Sequence, residues 1–166
     1  MASHTLEHVI DCPPARMWEL FFDDAFNVEM YEQGMGFPSC KIAEKRDDGR
    51  ILHRRMVCIP KVDMPTALAK VVGDRTGYEE IGDWVRSAGE WRWHLVLAAF
   101  GEKVKITGTM RLEPLGEGKC KRITPFSVEA NVFAIGKLVE KASTDNVVSG
   151  WDASARWING WLARNH

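Results

Sequence analysis

The sequence predicts an α+β fold: a curved antiparallel sheet of about seven strands wrapped around one long C-terminal helix, with short helices near the N-terminus and in a mid-chain insertion. Two observations predict it. Most of the span 39–133 alternates with period two, and residues 137–164 carry an apolar stripe at spacings of mostly three and four. A sheet with an apolar concave face must bury that face, and only the terminal helix is long enough to cover it. A helix held in this way leaves a hollow beside it.

Residues 3–10 form the first strand, with His4, Leu6, His8 and Ile10 on one face and Thr5, Glu7 and Val9 on the other. Asp11 is placed to cap the next helix. Pro13 and Pro14 suit its first turn, where the amide protons they lack have no intrahelical partner. Met17, Trp18, Leu20 and Phe21 follow at helical spacing, and the helix ends near Asp23 or Asp24. Residues 25–37 read as a further short helix closed by Gly34, Gly36 and Pro38.

From residue 39 the period changes to two. Asp47-Asp48-Gly49 joins strands 40–46 and 50–59 as a hairpin, because glycine takes positive φ without strain. Residues 65–73, with proline at the start and glycine past the end, read as a two-turn helix inserted between strands. Strands 78–86 and 90–99 meet at Ser87-Ala88-Gly89, and 104–112 alternates cleanly. A glycine-bearing turn at 115–119 leads into a last strand, 120–133, in which Pro125 marks an edge or a bulge. In the final helix Gly150 and Gly160 each cost about 1 kcal/mol against alanine, so packing must outweigh them. Gly150 suits a close approach to the sheet, and two helices broken at that point are the alternative.

The 166 residues fit a single domain, 1–166, able to bury roughly two-thirds of its unfolded surface. With 22 basic and 23 acidic residues the chain lacks the positive field that nucleic acid requires. Cys12, Cys40, Cys58 and Cys120 are scattered and read as reduced thiols. No apolar run of about 20 residues and no leader pattern is found, so a soluble cytoplasmic protein is expected.

Two ends of the chain carry a family resemblance. Asp11-Cys12-Pro13-Pro14-Ala15-Arg16-Met17-Trp18-Glu19-Leu20 resembles the segment that opens START-like (SRPBCC) helix-grip proteins. Gly136-Lys137-Leu138-Val139-Glu140-Lys141 resembles the glycine-led start of their closing helix. The stretch from Met64-Pro65-Thr66 to Gly73, followed by Tyr78-Glu79-Glu80, is similar to a poorly characterised bacterial START-like family and, more distantly, to PRELI-type lipid-transfer proteins. The resemblance spans residues 3–164. It implies a helix-grip fold with an internal cavity, since members bind lipids, sterols, polyketides or other apolar ligands and a minority catalyse cyclisation or dehydration. It transfers no catalytic residue. Its PRELI-like variant implies that residues 61–77 form a lid making transient membrane contact.

The residues point to the same hollow. Seven tryptophans are many for a core of this size, and Trp91, Trp93, Leu95, Leu97 and Ala99 share one strand face. Val104, Ile106, Met110 and Leu112 extend that face, with Gly108 leaving space, and Leu138, Val148, Trp151 and Ile158 form the helical side. The competing reading is that these side chains interdigitate and fill the interior.

Arg54 is the polar candidate, flanked by Leu52, Met56 and Cys58 on its own face. A buried guanidinium must be paired, by a ligand carboxylate or phosphate, or by Glu79, Glu80 or Asp83 of the next strand; the internal salt bridge is the favoured reading. Glu129 and Asn131 offer further polar handles. His4 and His8 lack a third metal ligand, so no metal, no cofactor and no catalytic residue is assigned. Binding of a lipid-like or other apolar small molecule is the leading function. A cyclase or dehydratase acting on a bound apolar ketone, and a protein-interaction module with a filled core, are the alternatives.

Overall fold

The computed structural model describes residues 1–165. In chain order the elements are β1 (Ala2–Ile10), α1 (Pro14–Phe21), α2 (Asp24–Glu29), β2 (Ser39–Asp47), β3 (Ile51–Ile59), α3 (Thr66–Val72), β4 (Tyr78–Val85), β5 (Glu90–Leu97), β6 (Gly101–Pro114), β7 (Cys120–Ala130) and α4 (Gly136–Arg164). The strands form one antiparallel sheet of order β1-β7-β6-β5-β4-β3-β2. Strands β2 to β7 run as a meander, and β1 adds to the far side of β7. The α1–α2 segment therefore carries the chain from one edge strand to the other.

One face of the sheet carries the core. Trp91 and Trp93 of β5, Val104, Ile106 and Met110 of β6, and Phe126 and Val128 of β7 are buried against α4 and the short helices. Two glycines make this packing feasible. A Cβ on Gly82 would sit 2.4 Å from the Trp91 ring, and one on Gly108 would sit 2.5 Å from the Trp93 ring. Each indole thus lies over a position that lacks a side chain.

Three sequence expectations are corrected: the Asp11 cap, the Pro125 edge or bulge, and the close approach at Gly150. Asp11 does not cap α1: Pro13 holds the N-cap position without a side-chain bond, and the Asp11 amide donates to Asn159 Oδ1 instead, at 2.8 Å. The α2 helix is capped by Asp23, whose carboxylate accepts from the Phe26 amide, and it runs on into a π-helical turn at Met30–Gly34. Pro125 lies neither on an edge strand nor at a bulge; β7 is flanked by β1 and β6, Pro125 is opposite Thr5, and the β6 ladder lapses at Thr109 and Met110 while its register continues. The α4 helix passes unbroken through Gly150 and Gly160, as the single-helix expectation has it, and the broken alternative is not taken. The tight approach is at Gly34 instead, where a Cβ would meet the Trp157 ring at 2.4 Å, whereas one on Gly150 would meet only Met35, at 3.8 Å.

The four cysteines are buried free thiols, and Cys40 and Cys58 face each other across β2 and β3 with their Sγ atoms 3.8 Å apart. No described helix is long and apolar enough to cross a membrane.

Candidate functional site

The space between sheet and α4 is divided. At one end Trp18, Phe21 and Phe22 of the α1 region pack against Trp84 and Trp91, with ring centroids 4.9 to 5.6 Å apart. This end is solid. Beside it lies a cavity of about 250 Å³, just below the range of roughly 300–1,000 Å³ typical of small-molecule pockets. The sheet contributes Trp93, Leu95, Leu97 and Ile106 to its wall. The helix α4 contributes Val139, Ala142, Val147, Trp151 and Ile158. Met30, Met35, Met64, Leu68 and Val72 close it from the side of α1–α3, and Lys61 and Arg75 stand exposed at its rim.

The sequence-selected residues separate accordingly. Trp93, Leu95, Leu97, Ile106, Trp151 and Ile158 line the cavity. Trp91 is completely buried in the solid end, because Phe21 and Phe22 pack edge-on against it. Met110 is buried in the core away from the cavity wall. Leu138 and Val148 pack on the core but do not reach the cavity; their neighbours Val139 and Val147 do. Both helix positions are therefore one residue out, a rotation of about 100° on an α-helix.

Arg54 is 1% exposed, stands off the cavity wall and has its charge paired within the protein, although its Nε is buried without a partner. Its Nη2 donates to Glu80 Oε1 at 3.0 Å and its Nη1 to the Phe21 carbonyl at 2.6 Å. The guanidinium lies 4.6 Å from the Phe21 ring centroid and 5.0 Å from that of Trp91, so aromatic faces supply further attraction. Antiparallel register selects Glu80 over the other two acids. Residues opposite one another share a face, so Glu80 falls beside Arg54, while Glu79 pairs with Arg55 and Asp83 with His53 on the outer face.

A second buried arginine was not among the sequence candidates. Arg122 of β7 is also 1% exposed, and it lines the cavity. Its Nη2 donates to the Trp151 carbonyl at 2.8 Å and contacts His8 Nδ1 at 3.3 Å, and its guanidinium lies 4.7 Å from the Trp151 ring centroid. His8 Nε2 in turn bonds Asp152 Oδ1 at 2.7 Å. Arg122 donates to Nδ1, so neutral His8 carries its proton on Nε2. Burial, with Arg122 adding to it, lowers the His8 pKa despite the pull of Asp152. The alternation Cys120, Arg122, Thr124, Phe126, Val128 is the signal that could have found Arg122, since it sets an arginine in an otherwise mostly apolar buried row.

The remaining polar groups on the wall include Asn27, Tyr31, Tyr78 and Glu80. The Asn27 amide is spent on the carbonyls of Leu20, Phe21 and Asp23. Burial, with Glu80 nearby, pushes the Tyr31 phenol well above its ordinary value. Glu129 and Asn131 bond each other at the surface, and His4 stacks on Phe126.

A curved antiparallel sheet holding a long C-terminal helix over a cavity is the START-like helix-grip fold, and solved structures share that architecture. The protein TTHA0849 from Thermus thermophilus is 19% identical, with a TM-score of 0.62, and the match covers 99% of this chain and 100% of that one. Norcoclaurine synthase from Thalictrum flavum, in complex with dopamine and hydroxybenzaldehyde, is 12% identical with a TM-score of 0.63 over 99% and 89% of the two chains. A START superfamily protein from Mycobacterium smegmatis is 16% identical with a TM-score of 0.56 over 99% and 98%. No curated protein matches the chain. By sequence the chain belongs to the family described as "Protein of unknown function (DUF2505)", whose model matches residues 5–162.

Proposed function

We propose that this protein carries, sequesters or transfers a compact lipid-like or other apolar small molecule in the cavity between sheet and α4. The observation that supports the reading is the wall itself: aromatic, aliphatic and methionine side chains from sheet, short helices and α4 make up most of the surface around about 250 Å³, with polar groups in the minority. Apolar contact supplies affinity, and the polar groups set orientation. The segment 61–77 is the gate in this reading, since Leu68 and Val72 of α3 are buried against the cavity and the bond from Asn146 to the Asp63 carbonyl ties its first half to α4.

The experiment is native mass spectrometry of the purified protein with and without organic extraction, beside titration of the tryptophan emission with decanoic acid and 2-naphthol. A bound mass that extraction removes, or saturable quenching, is the expected result. The Ala142→Phe variant, which puts a ring into the cavity, should lose it while still unfolding cooperatively. Unchanged quenching in that variant, or none in either protein, overturns the proposal.

Glu80 and Tyr31 on one wall favour a second reading, a cyclase or dehydratase that moves protons on a bound apolar ketone. Arg54 engages Glu80 as a buried ion pair, so that carboxylate is already committed within the protein, which ranks this reading second.

A further inference from the structure

Resting on the reading of the cavity as a ligand site, we propose that its occupant bears a carboxylate and that the guanidinium of Arg122 receives it. The charge balance of the interior is uneven. Arg54 and Arg122 are equally buried, at 1% exposure, but only one of them has an acid. Arg54 meets Glu80 at 3.0 Å, and those two charges cancel. Among the described residues no carboxylate oxygen comes within 4.0 Å of Arg122. Asp152 reaches it only through the His8 ring. The wall therefore holds one buried positive charge with no direct acidic partner, its nearest named acid acting only through His8, and a buried ion without a direct partner is costly.

Two of the five N–H donors of Arg122 are used. Nη2 serves both the Trp151 carbonyl and His8 Nδ1. Nε is buried without a partner, as it is in Arg54, but here no described residue accepts from Nη1 either, whereas both Nη atoms of Arg54 are bonded. Burial lowers the Arg122 pKa to about 10, so the group remains protonated at neutral pH. A carboxylate oxygen at Nη1 would supply both the missing acceptor and the missing charge. A neutral carbonyl would supply only the acceptor, and charge-assisted bonds are about twice as strong. The ring of Trp151 against the guanidinium holds it in position toward the cavity. The competing location for an acidic head is the rim, where Lys61 and Arg75 are exposed.

The test uses matched pairs that share a skeleton, decanoate with decanamide and 2-naphthoate with 2-naphthamide, titrated into the full chain at about pH 7.5 by calorimetry. For the better-bound pair the acid should bind at least about tenfold more tightly than the amide. Arg122→Gln should reduce that ratio below about threefold while amide binding persists, and Arg122→Lys, which keeps the charge, should restore part of it. The double variant Lys61→Gln/Arg75→Gln should keep the ratio, and its loss there would move the head to the rim and overturn the proposal. Equal binding of acid and amide by the unaltered protein also overturns it, even if Arg122→Gln fails to fold, and leaves the cavity reading standing. Failure of every acid and amide to bind removes both.

Discussion

Replacing Glu80 with alanine removes the carboxylate that neutralises Arg54, and the structure allows the cost to be worked out. The Arg54 side chain is 1% exposed and that of Glu80 is 8% exposed, so neither charge is solvated in the folded state. Taking one partner from a buried ion pair leaves an uncompensated charge, at a cost of about 3–5 kcal/mol. The low end is expected here, because the Phe21 carbonyl and the rings of Phe21, Phe22 and Trp91 remain around the guanidinium. For a chain of this length each kcal/mol shifts the melting temperature by about 2–4 °C, so Glu80→Ala should melt roughly 6–12 °C lower. Urea unfolding followed by tryptophan emission measures the free energy directly. The double variant Arg54→Met/Glu80→Met, which replaces the pair with apolar bulk, should fall within about 1 kcal/mol of the unaltered protein or above it. A loss below about 1 kcal/mol in the single variant, or a double variant as unstable as the single, would refute the assignment of Arg54 as an internally paired charge.

Gly82→Ala and Gly108→Ala should each destabilise by about 1–3 kcal/mol in urea unfolding, since backbone oxygens stand 2.8 and 2.7 Å from the new Cβ and cannot move aside as an indole can. Gly150→Ala should instead stabilise by up to about 1 kcal/mol, because α4 is continuous there and Met35 offers only ordinary contact; a measured loss would show that the site needs the bare backbone. His8 has a folded pKa below its ordinary value of 6.5, chiefly through burial, so its contribution is present above pH 6.5 and is lost as pH falls through the folded pKa. Between about pH 7.5 and about pH 5.5 the melting temperature should therefore fall further for the unaltered protein than for His8→Gln, and parallel declines would contradict this.

The strands were legible because one face of the sheet is buried and the other is wet, which writes a period of two into the chain. Three features of the site were not legible, each for a physical reason. On α4 the pairs Leu138-Val139 and Val147-Val148 offer apolar neighbours at adjacent positions, so periodicity alone does not say which of each pair faces the hollow. Trp91 and Trp93 are equivalent on their strand, and what separates them is where Phe21 and Phe22 land from a helix far earlier in the chain. Arg122 follows the same pattern as Arg54, an arginine inside a buried row, but its lack of an acid depends on what β1 and α4 bring beside it. Local pattern reports which face a residue takes. Partners from distant segments decide whether that face is packed, paired or open.

The partition between the aromatic end and the open end has an evolutionary consequence. Mutations that reshape the wall formed by Leu95, Leu97, Val139 and Ala142 leave the Trp18–Phe22–Trp84–Trp91 block untouched. That block can act as a fixed keel while the neighbouring chamber is retailored, so descendants of this chain could change the shape of the hollow without first losing the ability to fold.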